Sequence, residues 1–394
     1  MSRFQKSLAW VAATGFTFFI LIVLLPYFLE STYSTLSFLP EESQTASVPS
    51  VLVIHLETPE PLKALYMTSC VAATPTWRDS LKELIETTEL NAVVIDIKDY
   101  TGVVSFPRPL TPERSDGGQA NEKGCVVSDM REFVQVLHEA NIYVIGRISV
   151  FQDPSYTKLF PELAVRKKSD GEVWKDYKGL SFIDVGARPY WDYIVKLSEE
   201  SYELGFDELN FDYVRYPSDG NTQDALYSWS VGTTTKQEML GSFFEHLHDN
   251  LRETGVKLSV DLFGMTTTVE NDMGIGQILE GAFPYFDYIS PMVYPSHYPS
   301  TWNGFVNPAE YPYEVIKIAM ARAMEREMAW RISQNLATTT PSKFRPWLQD
   351  FNLGATYDAD KVRAQIQATY DVGLTSWMLW NAGNKYTREA LLPN

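Results

Sequence analysis

The stretch Gly205-Phe206-Asp207-Glu208-Leu209-Asn210-Phe211-Asp212-Tyr213-Val214-Arg215-Tyr216-Pro217 decides how the chain folds. Leu209, Phe211 and Tyr213 form one alternating set, and Asn210, Asp212 and Val214 the other. Asn210 and Asp212 therefore share a face beside an apolar core. A strand that carries a carboxylate inward near its C-terminal end is unusual as scaffold alone.

On both sides of this strand the pattern alternates between strand and helix. Upstream, strands are predicted at 64–69, 91–98 and 142–148. Downstream they fall at 257–263, 286–294, 345–351 (the weakest) and 375–380. Between them lie helical spacings. Leu81, Leu84 and Ile85 follow a cap at Thr76; Phe133, Val136, Leu137 and Ala140 share a face; 189–204 is helical. Thr235-Lys236-Gln237-Glu238 has the form of a capping box and opens a helix to Glu253. Further helices are predicted at 276–282, 313–327 and 360–370. Eight strands alternating with helices predict an α/β fold, a (β/α)8 TIM barrel over residues 62–394. The rival is a doubly wound open sheet. If it bound a nucleotide, it would carry a glycine-rich turn after an early strand, and Gly274-Ile275-Gly276 does not qualify.

The N-terminus is separate. Arg3 and Lys6 precede an uncharged run from Leu8 to Leu29, and Glu30, Glu41 and Glu42 follow it. About 20 apolar residues span a bilayer. Residues 1–30 thus read as a cytoplasmic tail and single transmembrane helix, with the barrel outside the cell membrane. A cleaved signal peptide is the alternative, but the run is long and no small-x-small site follows it. Residues 31–61, rich in Ser, Thr, Pro and Glu, read as a linker with a short strand at 51–56. The two cysteines, Cys70 and Cys125, fall at neighbouring barrel positions, which leaves a disulfide and two buried thiols both open.

Composition excludes some partners. The net charge of −17 repels phosphate backbones, so nucleic acid is not expected. His246 and His248 diverge on one helix, and no His/Cys cluster has metal spacing, so no metal or other cofactor is expected. No nucleophile elbow or phosphate loop is present.

What remains is a set of polar groups at strand ends: Asp96 and Lys98, Arg147, Asn210 and Asp212 with Arg215 beyond, Asp261, and Gln349-Asp350. In a barrel these converge on one face. Convergent carboxylates suit acetal hydrolysis, which needs one carboxyl protonated and one ionised. Like charges raise one pKa, and a nearby cation keeps another carboxylate charged. Asp212, Asp261 and Asp96 are the catalytic candidates; Lys98, Arg147, Asn210 and Arg215 would set charge and hold hydroxyls. The competing reading is a charge network that ties the rim together. Tyr213, Tyr216, Phe263, Tyr294, Trp302, Trp347 and Trp380 fall near the same strand ends. Among them Tyr294 and Trp302 are the preferred platforms for a sugar ring.

Three segments carry a family resemblance: Asn91–Lys98, Gly205–Gly220 and Ser290–Tyr298. Arg345-Pro346-Trp347-Leu348-Gln349-Asp350-Phe351 adds to it. Together they resemble a family of bacterial glycosyl hydrolase-like proteins, across nearly everything from Lys63 onward. The resemblance implies a TIM-barrel glycosidase-like domain. The Gly205–Pro217 stretch also distantly resembles the fourth-strand motif of family 18 chitinases. Asp207 and Asp212 match the first and third acids of that motif, Asn210 replaces the second, and Val214 stands where the catalytic glutamate would be. A chitinase mechanism therefore does not transfer, and the acid must come from Asp212 itself, Asp261 or Asp350. The reading that follows is a membrane-anchored glycoside hydrolase acting on a cell-envelope or extracellular polysaccharide. Its rival is a glycan-binding module that keeps the barrel without the reaction.

Overall fold

The computed structural model describes residues 53–108, 124–230, 234–339 and 341–394. Eight parallel strands close into a barrel. They are β1 (Lys63–Met67), β2 (Ala92–Lys98), β3 (Tyr143–Ser149), β4 (Glu208–Asp212), β5 (Lys257–Phe263), β6 (Tyr288–Met292), β7 (Trp347–Gln349) and β8 (Trp377–Trp380). β1 pairs with β8 at Lys63↔Trp377 and closes the ring. The helices α1 (Pro75–Glu86), α2 (Met130–Glu139), α3 (Arg188–Leu204), α4 (Lys236–Leu251), α5 (Leu279–Ala282), α6 (Pro312–Ser333) and α7 (Ala359–Asp371) connect them in turn.

Local chemistry sets the helix ends. Thr235 and Glu238 form the expected reciprocal capping box at α4. α3 stops at Gly205, whose φ of 117° suits a residue without a Cβ. Thr76 is not the cap of α1: Pro75 takes the first helical position, where its missing N–H costs nothing, and Thr74 precedes it.

Two apolar layers follow from strand alternation. Leu65, Val93, Ile95, Val144, Leu209 and Phe211 face the helices. Ala64, Tyr66, Val94, Tyr143, Ile145, Trp347 and Met378 fill the barrel. At the end where the strands start, Arg345 bonds Glu208 at 2.8 Å and lies over the Tyr288 ring. Residues 53–61, expected as linker with a strand at 51–56, form no strand. Here Leu56 N–H donates to Asp207 Oδ1 at 2.7 Å, and Thr58 Oγ1 meets Tyr143 Oη at 3.0 Å. Backbone pairing is replaced by side-chain anchors on β3 and the residue before β4.

Cys70 and Cys125 form a disulfide with Cα atoms 4.8 Å apart, so of the two open readings the bridge is the one found. The basic cluster Arg166-Lys167-Lys168 opens a two-stranded antiparallel ribbon with Ala225–Leu226. The apolar run Leu8–Leu29 lies outside the described residues, and among those described no helix is long and apolar enough to cross a membrane.

Candidate active site

Parallel register stacks the inward-facing polar residues. Asp96 lies level with Arg147, and Arg147 with Asn210. Asn210 in turn is level with Ser259, two residues before Asp261 on β5. Arg147 is the hub. Its Nη1 donates to Asp96 Oδ1 at 2.7 Å, and its Nη2 donates to Asp212 Oδ2. Its Nε lies 3.8 Å from Asp261 Oδ2. Burial disfavours the cation, but Asp212, Asp96 and the other surrounding groups more than offset this and hold its pKa well above the ordinary value.

Each aspartate is fixed differently. Asp96 accepts from Tyr66 Oη at 2.5 Å, and burial pushes its carboxyl up to about 6 despite Arg147. Asp212 accepts from the Tyr213 N–H at 2.5 Å as well as from Arg147. Tyr213 has φ 51°, a left-handed conformation that is uncommon outside glycine. It turns the chain sharply out of β4, just past Asp212. Asp261 Oδ1 accepts from Asn210 Nδ2 at 2.9 Å and Trp347 Nε1 at 2.8 Å. Its Oδ2 is buried with no hydrogen-bond partner among the described residues. Burial first, then the charge of Asp212, pushes the Asp261 pKa well above the carboxylate range.

A cleft of about 540 Å³ opens at this end of the barrel. Arg147, Asp212, Tyr213, Arg215, Tyr294 and Trp380 line it, with Phe263, Met265, Met273, Met292, His297 and Tyr298. Gly264 lets the wall close up, since a Cβ there would collide with the Met292 carbonyl. Trp380 stacks on Tyr66 with centroids 4.0 Å apart, and the Arg147 guanidinium lies 5.0 Å from the Trp380 ring. Tyr294 lines the cleft, and its Oη has no hydrogen-bond partner among the described residues. Asp96 and Asp261 do not line it; they flank Arg147 from the barrel interior.

The fold therefore unites Asp96, Arg147, Asn210, Asp212 and Asp261, with Arg215, Tyr294 and Trp380 around the opening. It takes other expected residues elsewhere. Lys98 does not share the face of Asp96, because the β2–β3 register shifts between them. Instead Lys98 Nζ meets Asp153 Oδ2 at 2.8 Å and Tyr190 Oη at 3.0 Å, fully buried. Trp347 is fully buried and serves Asp261 as a donor, with no open face for a sugar. Gln349 accepts from the Ser296 N–H at 3.1 Å and so ties down the loop after β6. Asp350 accepts from Thr387 N–H at 2.9 Å and Oγ1 at 2.7 Å, clasping the C-terminal segment. Trp302 packs on Tyr298 at 4.5 Å, behind the cleft wall. Sequence reasoning missed Tyr66, although its inward parity near the end of β1 was readable. It also missed Met273 and Met292, which carry no chemical signature.

Residues 64–386 match the model of a family described as "Putative glycosyl hydrolase domain". The chain belongs to that family. A search of curated proteins finds no match. Among solved structures, the family member described here is similar to the glycoside hydrolase domain of PgaB (BpsB) from Bordetella bronchiseptica. The identity is 12%, the coverage is 82% of this chain and 94% of that one, and the TM-score is 0.56. It is also similar to alpha-L-fucosidase isoenzyme 2 from Paenibacillus thiaminolyticus, at 10% identity over 84% of this chain and 47% of that one, with a TM-score of 0.54. A hypothetical protein from Ruminiclostridium thermocellum is 31% identical over 50% of this chain and 96% of its own, with a TM-score of 0.44. At the low identities of the first two, the likeness is one of fold.

Proposed function

We propose that this family member is a membrane-anchored glycoside hydrolase that cuts a cell-envelope or extracellular polysaccharide at the cleft bounded by Asp212 and Arg147. The observation that carries this reading is the sharing of one guanidinium by aspartates in unlike environments. Glycosidic cleavage needs a carboxyl that stays protonated and another that stays ionised. Asp261, desolvated and close to the charge of Asp212, suits the carboxyl that stays protonated; it lies behind Arg147, so its proton would reach the leaving oxygen through a water or a shift of Arg147. Asp212 faces the cleft and accepts from Arg147 and Tyr213, which suits the carboxylate that supports the oxocarbenium-like centre or activates water. Asp96 and Tyr66 hold Arg147 in place. Trp380 offers a ring face to the sugar, and the Tyr294 hydroxyl a hydrogen bond.

The uncharged run Leu8–Leu29 with Arg3 and Lys6 before it supports a single anchor with the barrel outside. The disulfide supports the same placement, since such bridges persist in oxidising compartments. A second reading is a glycan-binding module. Val214, at the position of the chitinase glutamate, is fully buried in the apolar core, and Asp261 sits behind the cleft wall.

The test is incubation of the chain with purified envelope polysaccharides, scored by new reducing ends, beside Asp212→Asn. New ends from the wild type and a loss of about a hundredfold or more in the variant are expected. Retention of glycan with no product in the wild type would favour the binding module.

A further inference from the structure

Arg215 follows the β4 strand end and lines the cleft, 9% exposed. Its only hydrogen bond among the described residues runs from Nη1 to the Tyr216 carbonyl at 3.2 Å. No carboxylate of the described residues lies within ion-pair distance; Asp212, Asp176 and Asp219 act on it only from further away. Aromatic rings hold it instead, with Phe263 at 4.9 Å, Tyr213 at 5.1 Å and Phe182 at 5.9 Å from the guanidinium carbon. Arg147, the other cleft arginine, bonds two carboxylates.

We propose that Arg215 is the specificity-determining residue for an anionic sugar: its guanidinium receives an oxyanion substituent, a carboxylate or an ester phosphate, on the ring bound next to Asp212. Taking an arginine out of water without a counterion is costly, and an incoming anion offsets that cost. The guanidinium fork matches a carboxylate or phosphate in two parallel hydrogen bonds. Ring packing fixes its plane, so little freedom is lost on binding. Burial lowers the Arg215 pKa, as expected for a cation awaiting its partner. The chain's net charge of −17 does not steer anions toward the cleft, so selectivity rests on this local contact.

The substrate class rests on the hydrolase reading above, but the binding itself does not. Glucose, glucuronate and glucose 6-phosphate are titrated into the full-length wild type, Arg215→Gln and Arg215→Lys, following tryptophan fluorescence. For the wild type at least one anion binds about tenfold or more tighter than glucose, the size of one charge-assisted hydrogen bond. Arg215→Gln loses that difference while still binding glucose, and Arg215→Lys keeps part of it. A carboxylate preference assigns uronic acids, and a phosphate preference assigns phosphorylated sugars. Equal binding of all three by the wild type overturns the proposal, as does an anion preference that survives in Arg215→Gln or the absence of any binding. Anion selectivity without new reducing ends from any polysaccharide would leave Arg215 as assigned and count against hydrolysis alone. Circular dichroism of both variants separates lost contact from lost fold.

Discussion

Replacing Asp96 with asparagine should stabilise the protein, and only above a definite pH. Asp96 is buried beside Arg147 and Tyr66, yet its pKa rises from 3.8 to about 6. Burial therefore outweighs both partners, and the folded state prefers the neutral acid. With the folded pKa above the unfolded one, the stabilising contribution is complete below about pH 4. It is lost as the pH climbs through about 6. The rise from 3.8 to about 6, at about 1.36 kcal/mol per pH unit, corresponds to about 3 kcal/mol. Asparagine keeps the shape of the neutral acid; its amide oxygen can face Arg147 and its NH₂ the Tyr66 oxygen. Asp96→Asn should match the wild type at about pH 4 and exceed it by up to about 3 kcal/mol at about pH 8. Urea denaturation followed by circular dichroism at both pH values measures this. A variant less stable than wild type at the higher pH, or shifted equally at both, refutes the argument. Such a result would mean that the Arg147 pair contributes more than burial removes.

Other perturbations separate scaffold from site. Lys98→Met leaves Asp153 buried without its cation and should cost about 3–5 kcal/mol of stability in the same assay. Glycan affinity should stay unchanged, and a weakened affinity with normal stability would put Lys98 back in the cleft. Cys70→Ser opens a bridge spanning 55 residues, worth about 4 kcal/mol by loop-closure entropy. Dithiothreitol should lower wild-type stability to the level of the variant, and an unchanged urea midpoint in both would contradict that role.

The barrel was legible because its strands are short apolar runs separated by well-marked helices. The capping box at Thr235 appeared where its four residues said it would. The grouping of polar residues at that end of the barrel was legible too, because β4 carries Asn210 and Asp212 on one face in an apolar setting. What failed was any inference that needed register or loop path. Two-residue spacing put Lys98 with Asp96, but a register shift between them separates the two. Trp347 and Trp302 looked like sugar platforms, since composition cannot distinguish an open ring face from a covered one. Asp350 sits at a strand end like Asp212, but a distant residue, Thr387, claims both its oxygens. Cys70 and Cys125 could not be paired before the paths after β1 and β2 were known.

A crystal structure of Asp212→Asn with an oligosaccharide cut by the wild type would show whether this cleft holds the scissile bond. A glycosidic oxygen is expected in the cleft beside the substituted side chain on β4 and Arg147, with a ring against Trp380. A sugar bound elsewhere, for instance in the separate cleft lined by Thr101, Lys158 and Lys175, would contradict it.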